Sequence, residues 1–95
     1  MEPGLEQITP AYLAARQEEV PKLLALLAAS HFERLAHLAH NIKGTGSSYG
    51  FVDLSRIGAA LEFAAKRRDR CDAGVQLTEL NDYLGQVHMV SQEGR

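Results

Sequence analysis

A histidine, a lysine and a glycine stand at helical spacing in the middle of this chain. Lys43 and Gly44 follow His40 by one turn, with Ala36 one turn before it and Ser47 two turns after. A solvent-facing histidine titrates near neutrality, and the neutral imidazole is a nucleophile that forms covalent intermediates. An ammonium group one turn away can screen a phosphoryl group, and small neighbours leave room for a partner surface. The pattern therefore indicates acceptance and donation of a phosphoryl group by His40.

The helix predicted around His40 begins at Ser30, which forms a capping box with Glu33, and ends before Gly50. His40 lies about 140° from Leu35 at roughly 100° per residue, so its side chain is expected to face solvent. Apolar residues at steps of three and four predict the buried face of this helix: Phe32, Leu35, Ala39, Ile42, Gly46 and Tyr49.

Two glycines lie inside this predicted helix, where each costs up to about 1 kcal/mol relative to alanine. Gly46 falls on the apolar face, where it could let a neighbouring helix come close. Gly44 falls on the solvent side, where the missing side chain opens space beside His40. We interpret Gly46 as a packing residue and Gly44 as an access residue.

The N-terminal part of the chain predicts two short helical segments. Residues 1–7 are expected to form a loose lead-in, because Pro3-Gly4 disfavours a helix. Thr9 is the expected N-cap, with Pro10 at the first helical position. Pro21 cannot donate a backbone hydrogen bond, so we expect a kink or break that separates 10–19 from 21–29.

The C-terminal half predicts two further helices. Asp53 is the expected N-cap of the third helix. A short connection at 69–72 leads to a last helix over 73–90, followed by a frayed tail at 91–95. Its expected inward residues are Val75 or Leu77, then Leu80, Leu84 and Val87. Short connections favour antiparallel packing, so the predicted fold is all-α: one domain over 1–95, an antiparallel four-helix bundle with a short or kinked N-terminal segment.

Composition narrows the classes of function. The net charge is −2 and the pI is near 6.0, which disfavours general nucleic-acid binding. Cys71 is the sole cysteine and excludes an internal disulfide. No stretch approaches the roughly 18 to 20 apolar residues that cross a bilayer, and the opening residues MEPGLEQ lack the features of a signal peptide. We expect a cytoplasmic protein without nucleic-acid or membrane partners.

The stretch from His40 to Gly50, HNIKGTGSSYG, resembles the H-x-x-K-G-x-x-x-x-x-G signature of histidine-containing phosphotransfer (HPt) domains in two-component phosphorelays. The resemblance extends over most of the chain, including Tyr12-Leu13 and the predicted third helix. It implies that His40 exchanges a phosphoryl group with an aspartate of a receiver domain. By position, Lys43 is similar to the family lysine near the phosphohistidine, and Gly44 to the glycine that gives the receiver access.

The resemblance also implies what surrounds the chain. HPt domains carry phosphoryl groups without kinase machinery of their own, so we expect no enzymatic activity and no cofactor in this chain, with magnesium on the partner receiver. The implied partners are response-regulator receivers and a sensor or hybrid histidine kinase, with the protein itself a monomer. The expected receiver-docking face comprises Ala36, His37, Gly44 and Ser47.

Two alternatives remain at this point. Glu33, His37 and His40 lie on one side of the predicted helix, with Glu62 nearby on the next, and Glu-x-x-His patterns build metal sites in helical bundles. Such ligands must point inward, whereas these are expected to point outward. The second alternative is an HPt-like adaptor that docks receivers without phosphotransfer. The basic residues Arg67, Arg68 and Arg70 are interpreted as a solvated helix end that could match the charge of a partner.

Overall fold

The computed structural model describes the backbone of residues 3–93 and the side chains of 10–87. Within this range the chain forms four α-helices and no strand: α1 (Pro3–Ala28), α2 (Phe32–Ser48), α3 (Val52–Lys66) and α4 (Arg70–Glu93). Each connection is three residues long, so successive helices run antiparallel. α2 packs against α1 and α3, and α4 packs against the same two helices. The predicted all-α, four-helix bundle is confirmed.

The core lies where the apolar faces of the four helices meet. Five of the six positions predicted for the buried face of α2 are buried, and Tyr49 is partly buried. On α4, Leu77 is buried whereas Val75 is 55% exposed, which decides between these two predicted inward residues. The largest fully buried side chains come from all four helices: Leu13, Leu23, Leu35, Ile42, Leu54, Ile57, Leu61, Leu77, Leu80 and Leu84.

The first helix is longer and more continuous than predicted. α1 includes residues 3–7 of the expected lead-in and passes through Pro21 without a break. A proline removes one backbone hydrogen bond and crowds the preceding turn. Val20 and Leu23, on either side of Pro21, are nevertheless both buried in the core, and tertiary packing supplies most helix stability. The predicted lead-in and the split into 10–19 and 21–29 are therefore wrong, while residues 1 and 2 lie outside the described range.

The capping prediction for Ser30 is also wrong. Ser30 has a left-handed φ of 62° and terminates α1, while His31 precedes α2 and makes no side-chain capping bond. The backbone N–H of His31 donates to the carbonyl of Leu26 at 2.9 Å, which closes the end of α1 as a Schellman turn. Arg70 donates to the carbonyl of Leu27 and to the Ser30 hydroxyl. This contact from a distant helix ties Ser30 to the end of α1.

The remaining helix ends differ from the predictions in detail. Gly50 has φ 84° and follows the end of α2, as predicted for a C-terminal stop. Asp53 lies inside the first turn of α3 and is not its N-cap. At the start of α4, Asp69 acts as the N-cap, because its carboxylate accepts a hydrogen bond from the backbone N–H of Asp72 at 3.0 Å. α4 therefore starts earlier than predicted and includes 91–93 of the expected frayed tail.

None of the helices in the described range combines the length and apolar character that a membrane span requires.

Candidate functional site

His40 projects from the solvent side of α2, toward the neighbouring helix α3. Its side chain is 62% exposed, so the predicted orientation toward solvent is confirmed. The Nδ1 atom lies 3.1 Å from Oε2 of Glu62 on α3. One nitrogen of the imidazole therefore meets a protein partner.

Close packing of α2 and α3 brings Glu62 within reach of His40. A Cβ atom on Gly58 would lie 2.7 Å from the backbone nitrogen of Lys43, so only glycine fits this crossing without a shift. Gly46 makes a second close approach, with Ser55 N 3.0 Å from the position of a Cβ atom, as predicted for a packing glycine. Glu62 follows Gly58 by one helical turn and extends along the same side of α3 toward His40.

Glu62 is nearly buried, and one of its carboxylate oxygens accepts hydrogen bonds from two donors. Its side chain is 11% exposed, and Lys66 Nζ lies 3.0 Å from Oε2. Burial is the largest single influence and raises the pKa of Glu62. The hydrogen bonds and positive charges of Lys66 and His40 together outweigh burial, so the pKa is lowered from the usual value.

The protonation state of Glu62 identifies the tautomer of His40. An ionised carboxylate can only accept hydrogen bonds, so the proton shared with Glu62 belongs to Nδ1 of His40. A neutral imidazole has one N–H, and the Nε2 atom of His40 therefore holds the free lone pair. This arrangement can present Nε2 to an electrophile while Nδ1–H donates to Glu62.

Lys43 and Gly44 occupy the positions predicted for them. Both are exposed, and a Cβ atom on Gly44 would meet no atom within 4 Å in the described part of the molecule. The surface of α2 around Gly44 is therefore open. Lys43 shares a groove with His40 and with residues of α3, which are Ala59, Glu62, Phe63 and Lys66.

The other residues expected at a docking face differ in exposure. His37 and Ser47 are exposed, whereas Ala36 is 7% exposed and presents little surface. Ala36 instead lines a second groove of about 420 Å³ on the opposite side of His40, together with Phe32, Glu33, His37, Glu62, Ala65, Lys66 and Arg68. The small side chain of Ala36 therefore belongs to the wall of this groove.

Phe63 is not among the residues predicted for the docking face, although it lies beside them. This side chain is 61% exposed and lines the groove that contains His40 and Lys43. A signal was available, because Phe63 lies outside the apolar stripe of α3, where an aromatic residue serves no core. The pairing of Glu62 with His40 is not among the sequence-based predictions, in which Glu62 is only a possible metal ligand.

The metal-binding alternative finds no support in the geometry. Among the residues that the structure describes, no three His, Cys, Asp or Glu side chains come together as metal ligands. Glu33, His37 and His40 share one side of α2 but do not form such a cluster. Cys71 is exposed, with a free thiol.

Comparison with known protein families gives one match, which covers most of the bundle. The Hpt domain model matches residues 10–89, which include His40 and the helices that position it. No curated protein and no solved structure matches the chain significantly.

Proposed function

Because the chain belongs to the Hpt domain family of phosphorelay proteins, we propose that His40 is its phosphoacceptor. The phosphoryl group moves between His40 and an aspartate of a receiver domain. The observation that supports this assignment best is the exposed imidazole of His40. Its Nδ1–H donates a hydrogen bond to Glu62, and the lone pair of Nε2 remains free to react. Hpt domains are carriers of phosphoryl groups and not catalysts.

The proposed step is an in-line transfer. The Nε2 lone pair of His40 attacks the phosphorus of the receiver's aspartyl phosphate, and the Nε2–P bond forms as the P–O bond to the aspartate breaks. The aspartate leaves as a carboxylate. The proton on Nδ1 stays in place, so the ring gains positive charge, which the carboxylate of Glu62 stabilises. In the reverse direction the same proton helps a neutral imidazole to leave.

Lys43 and Gly44 have different parts in this step. The ammonium group of Lys43 lies on the groove side of His40 and screens the phosphoryl oxygens. The open surface at Gly44 lets the receiver bring its aspartate to Nε2. The magnesium ion and the catalytic carboxylates are assigned to the receiver, and the chemistry that remains for this chain is positioning and charge neutralisation.

The receiver-docking face extends over two helices. On α2 it includes Gly44 and Ser47 beside His40, and on α3 it includes the exposed ring of Phe63. An aromatic side chain surrounded by charged and small residues is typical of an interface anchor. A receiver that reaches His40 must cover this ring, because Phe63 and His40 line the same groove.

A phosphotransfer assay with matched variants tests the proposal. The protein is incubated with a phosphorylated receiver, and acid-labile label on the protein is measured. His40→Gln is expected to abolish the label. His37→Gln, which removes an exposed histidine one turn earlier on α2, is expected to retain most of it.

Two outcomes would contradict the assignment. Acid-labile label that survives in His40→Gln would place the phosphoacceptor elsewhere. Receiver binding without any label on the wild-type protein would favour the adaptor alternative, in which the bundle docks a receiver but accepts no phosphoryl group.

A further inference from the structure

Lys66 and His40 converge on a single oxygen atom. Lys66 Nζ lies 3.0 Å from Oε2 of Glu62, and His40 Nδ1 lies 3.1 Å from the same atom. The two nitrogens are therefore at most about 6 Å apart. Lys66 and Glu62 are one turn apart on α3, in the order that favours a helical ion pair. The Lys66 side chain is 66% exposed, so its replacement removes little core packing.

The charged groups around His40 differ in whether they contact the imidazole or its partner Glu62. Glu33, His37 and Lys43 on α2, and Glu62, Lys66 and Arg68 on or after α3, line the two grooves beside the imidazole. Within the described side chains, Glu62 is the group that binds Nδ1, and Lys66 is the other donor to Glu62. Lys66 is thus the cation that acts on His40 through its carboxylate partner.

We propose that Lys66 is a positioning residue for phosphotransfer. Its ammonium group offsets part of the negative charge of Glu62 that would otherwise act on His40. This inference rests on the proposed function of His40. Without Lys66, the full negative charge of Glu62 would stabilise the imidazolium form of His40. In that form Nε2 carries a proton and cannot attack phosphorus. The Lys66 ammonium weakens that effect and also repels the imidazolium directly. Lys66 therefore keeps the Nε2 lone pair of His40 available at lower pH.

The proposal predicts a shift in the pH profile. In Lys66→Met, the pH at which the rate of His40 phosphorylation reaches half its plateau should rise by about half a unit. Two unit charges about 6 Å apart in a water-like dielectric have an effect of this size. Above that pH the plateau rate should equal or exceed the wild-type rate, because Glu62 then acts on the neutral ring alone. A merely structural defect would instead lower the rate at every pH.

A small phosphodonor separates this effect from receiver docking. Phosphoramidate transfers its phosphoryl group to Nε2 as its N–P bond breaks and ammonia leaves from the protonated nitrogen. Phosphohistidine formation is followed by ³¹P NMR from about pH 5 to about pH 9, the range in which histidine changes charge. Lys66→Arg should restore the wild-type profile, since it keeps a donor at the same position. Arg67→Met is the control, because Arg67 pairs with Asp69 and not with Glu62.

The outcomes distinguish this proposal from the proposed function. A shift in Lys66→Met that is absent in Arg67→Met and reversed in Lys66→Arg supports the role of Lys66. Equal shifts in the two methionine variants, or no shift in either, would overturn it. Acid-labile label from a phosphorylated receiver that persists in His40→Gln would instead refute the assignment of His40. A ¹⁵N NMR measurement of the His40 tautomer gives an independent readout, in which Lys66→Met should increase protonation of Nε2 near neutral pH.

Discussion

Oε2 of Glu62 lies 3.1 Å from Nδ1 of His40, across the contact between α3 and α2. This pair distinguishes the two nitrogens of an otherwise exposed imidazole. Because the Glu62 carboxylate can only accept, Nδ1 carries the proton, and Nε2 is the nucleophile of the proposed phosphotransfer. An exposed histidine without such a partner would populate both tautomers and several rotamers. The partnership therefore explains how a surface residue can present one atom reproducibly.

Removing the charge of Glu62 should slow phosphorylation of His40. A hydrogen bond to a charged group is worth about 1.5 to 3 kcal/mol, and the exposed position of His40 places this one at the lower end. We expect Glu62→Gln to lower the rate with phosphoramidate about tenfold above neutral pH, with no loss of helix content. The rate is measured by ³¹P NMR and the helix content by circular dichroism. An unchanged rate in a folded variant would show that Glu62 does not assist the ring.

Glu62 should also make stability depend on acid pH. Burial raises its pKa, but Lys66 and His40 outweigh burial and lower the folded-state pKa below 4.5. Stabilisation from the ionised carboxylate is therefore fully present above the pKa that Glu62 has in the unfolded chain. It is lost as the pH falls through the lower folded-state pKa. The free energy of unfolding in urea should fall less between about pH 7 and about pH 3 in Glu62→Gln than in the wild type.

The matched control for acid stability is Glu79→Gln. Glu79 is 46% exposed and pairs with Arg56 at 3.4 Å, so the pair contributes little. This variant should lose stability on acidification as the wild type does. The explanation fails if Glu79→Gln and Glu62→Gln flatten the pH dependence equally.

The surface of α2 was predictable from sequence because it depends on local periodicity. The positions of His40, Gly44 and Gly46 around the helix follow from 3.6 residues per turn, and the structure places all three as expected. The His40–Glu62 pair was not predictable in this way. It requires the register between α2 and α3, which the tight crossing at Gly58 sets, and no local pattern encodes that register.

The errors at helix ends have the same physical origin. Ser30 with Glu33 fits a capping box, and a serine seldom adopts the left-handed conformation in which Ser30 ends the preceding helix. Arg70 binds this turn from α4, 40 residues away in sequence, and favours the left-handed conformation. Pro21 likewise weakens α1 locally, while buried neighbours keep the helix continuous. In both places tertiary contacts overrode a local preference.

Replacing Gly58 should disrupt both packing and function. An added Cβ atom would lie 2.7 Å from Lys43 N and 3.1 Å from Ala39 O, both backbone atoms that cannot move alone. We expect Gly58→Ala to lose about 1 to 3 kcal/mol of unfolding free energy. The variant should also lose part of the His40–Glu62 contact, because α3 must move away from α2. Urea unfolding and the ¹⁵N tautomer measurement test the two effects.

Gly44→Ala is the control for Gly58→Ala. Both glycines lie inside helices, but the described structure leaves open space around a Cβ atom at Gly44. Alanine there should therefore stabilise the protein by up to about 1 kcal/mol through helix propensity. If both substitutions changed stability in the same direction, close packing at Gly58 would not be the cause.

Truncating Phe63 should weaken transfer from a receiver while sparing the chemistry of His40. The ring is 61% exposed and lines the groove that contains His40, and removal of an interface anchor typically costs more than 1 kcal/mol. We expect Phe63→Ala to lower the transfer rate from a phosphorylated receiver about tenfold at limiting receiver concentration. The rate with phosphoramidate, which needs no docking, should not change. Val75→Ala removes another exposed apolar side chain, on α4, and should affect neither rate. Equal losses with both donors in Phe63→Ala would instead assign Phe63 to the support of His40.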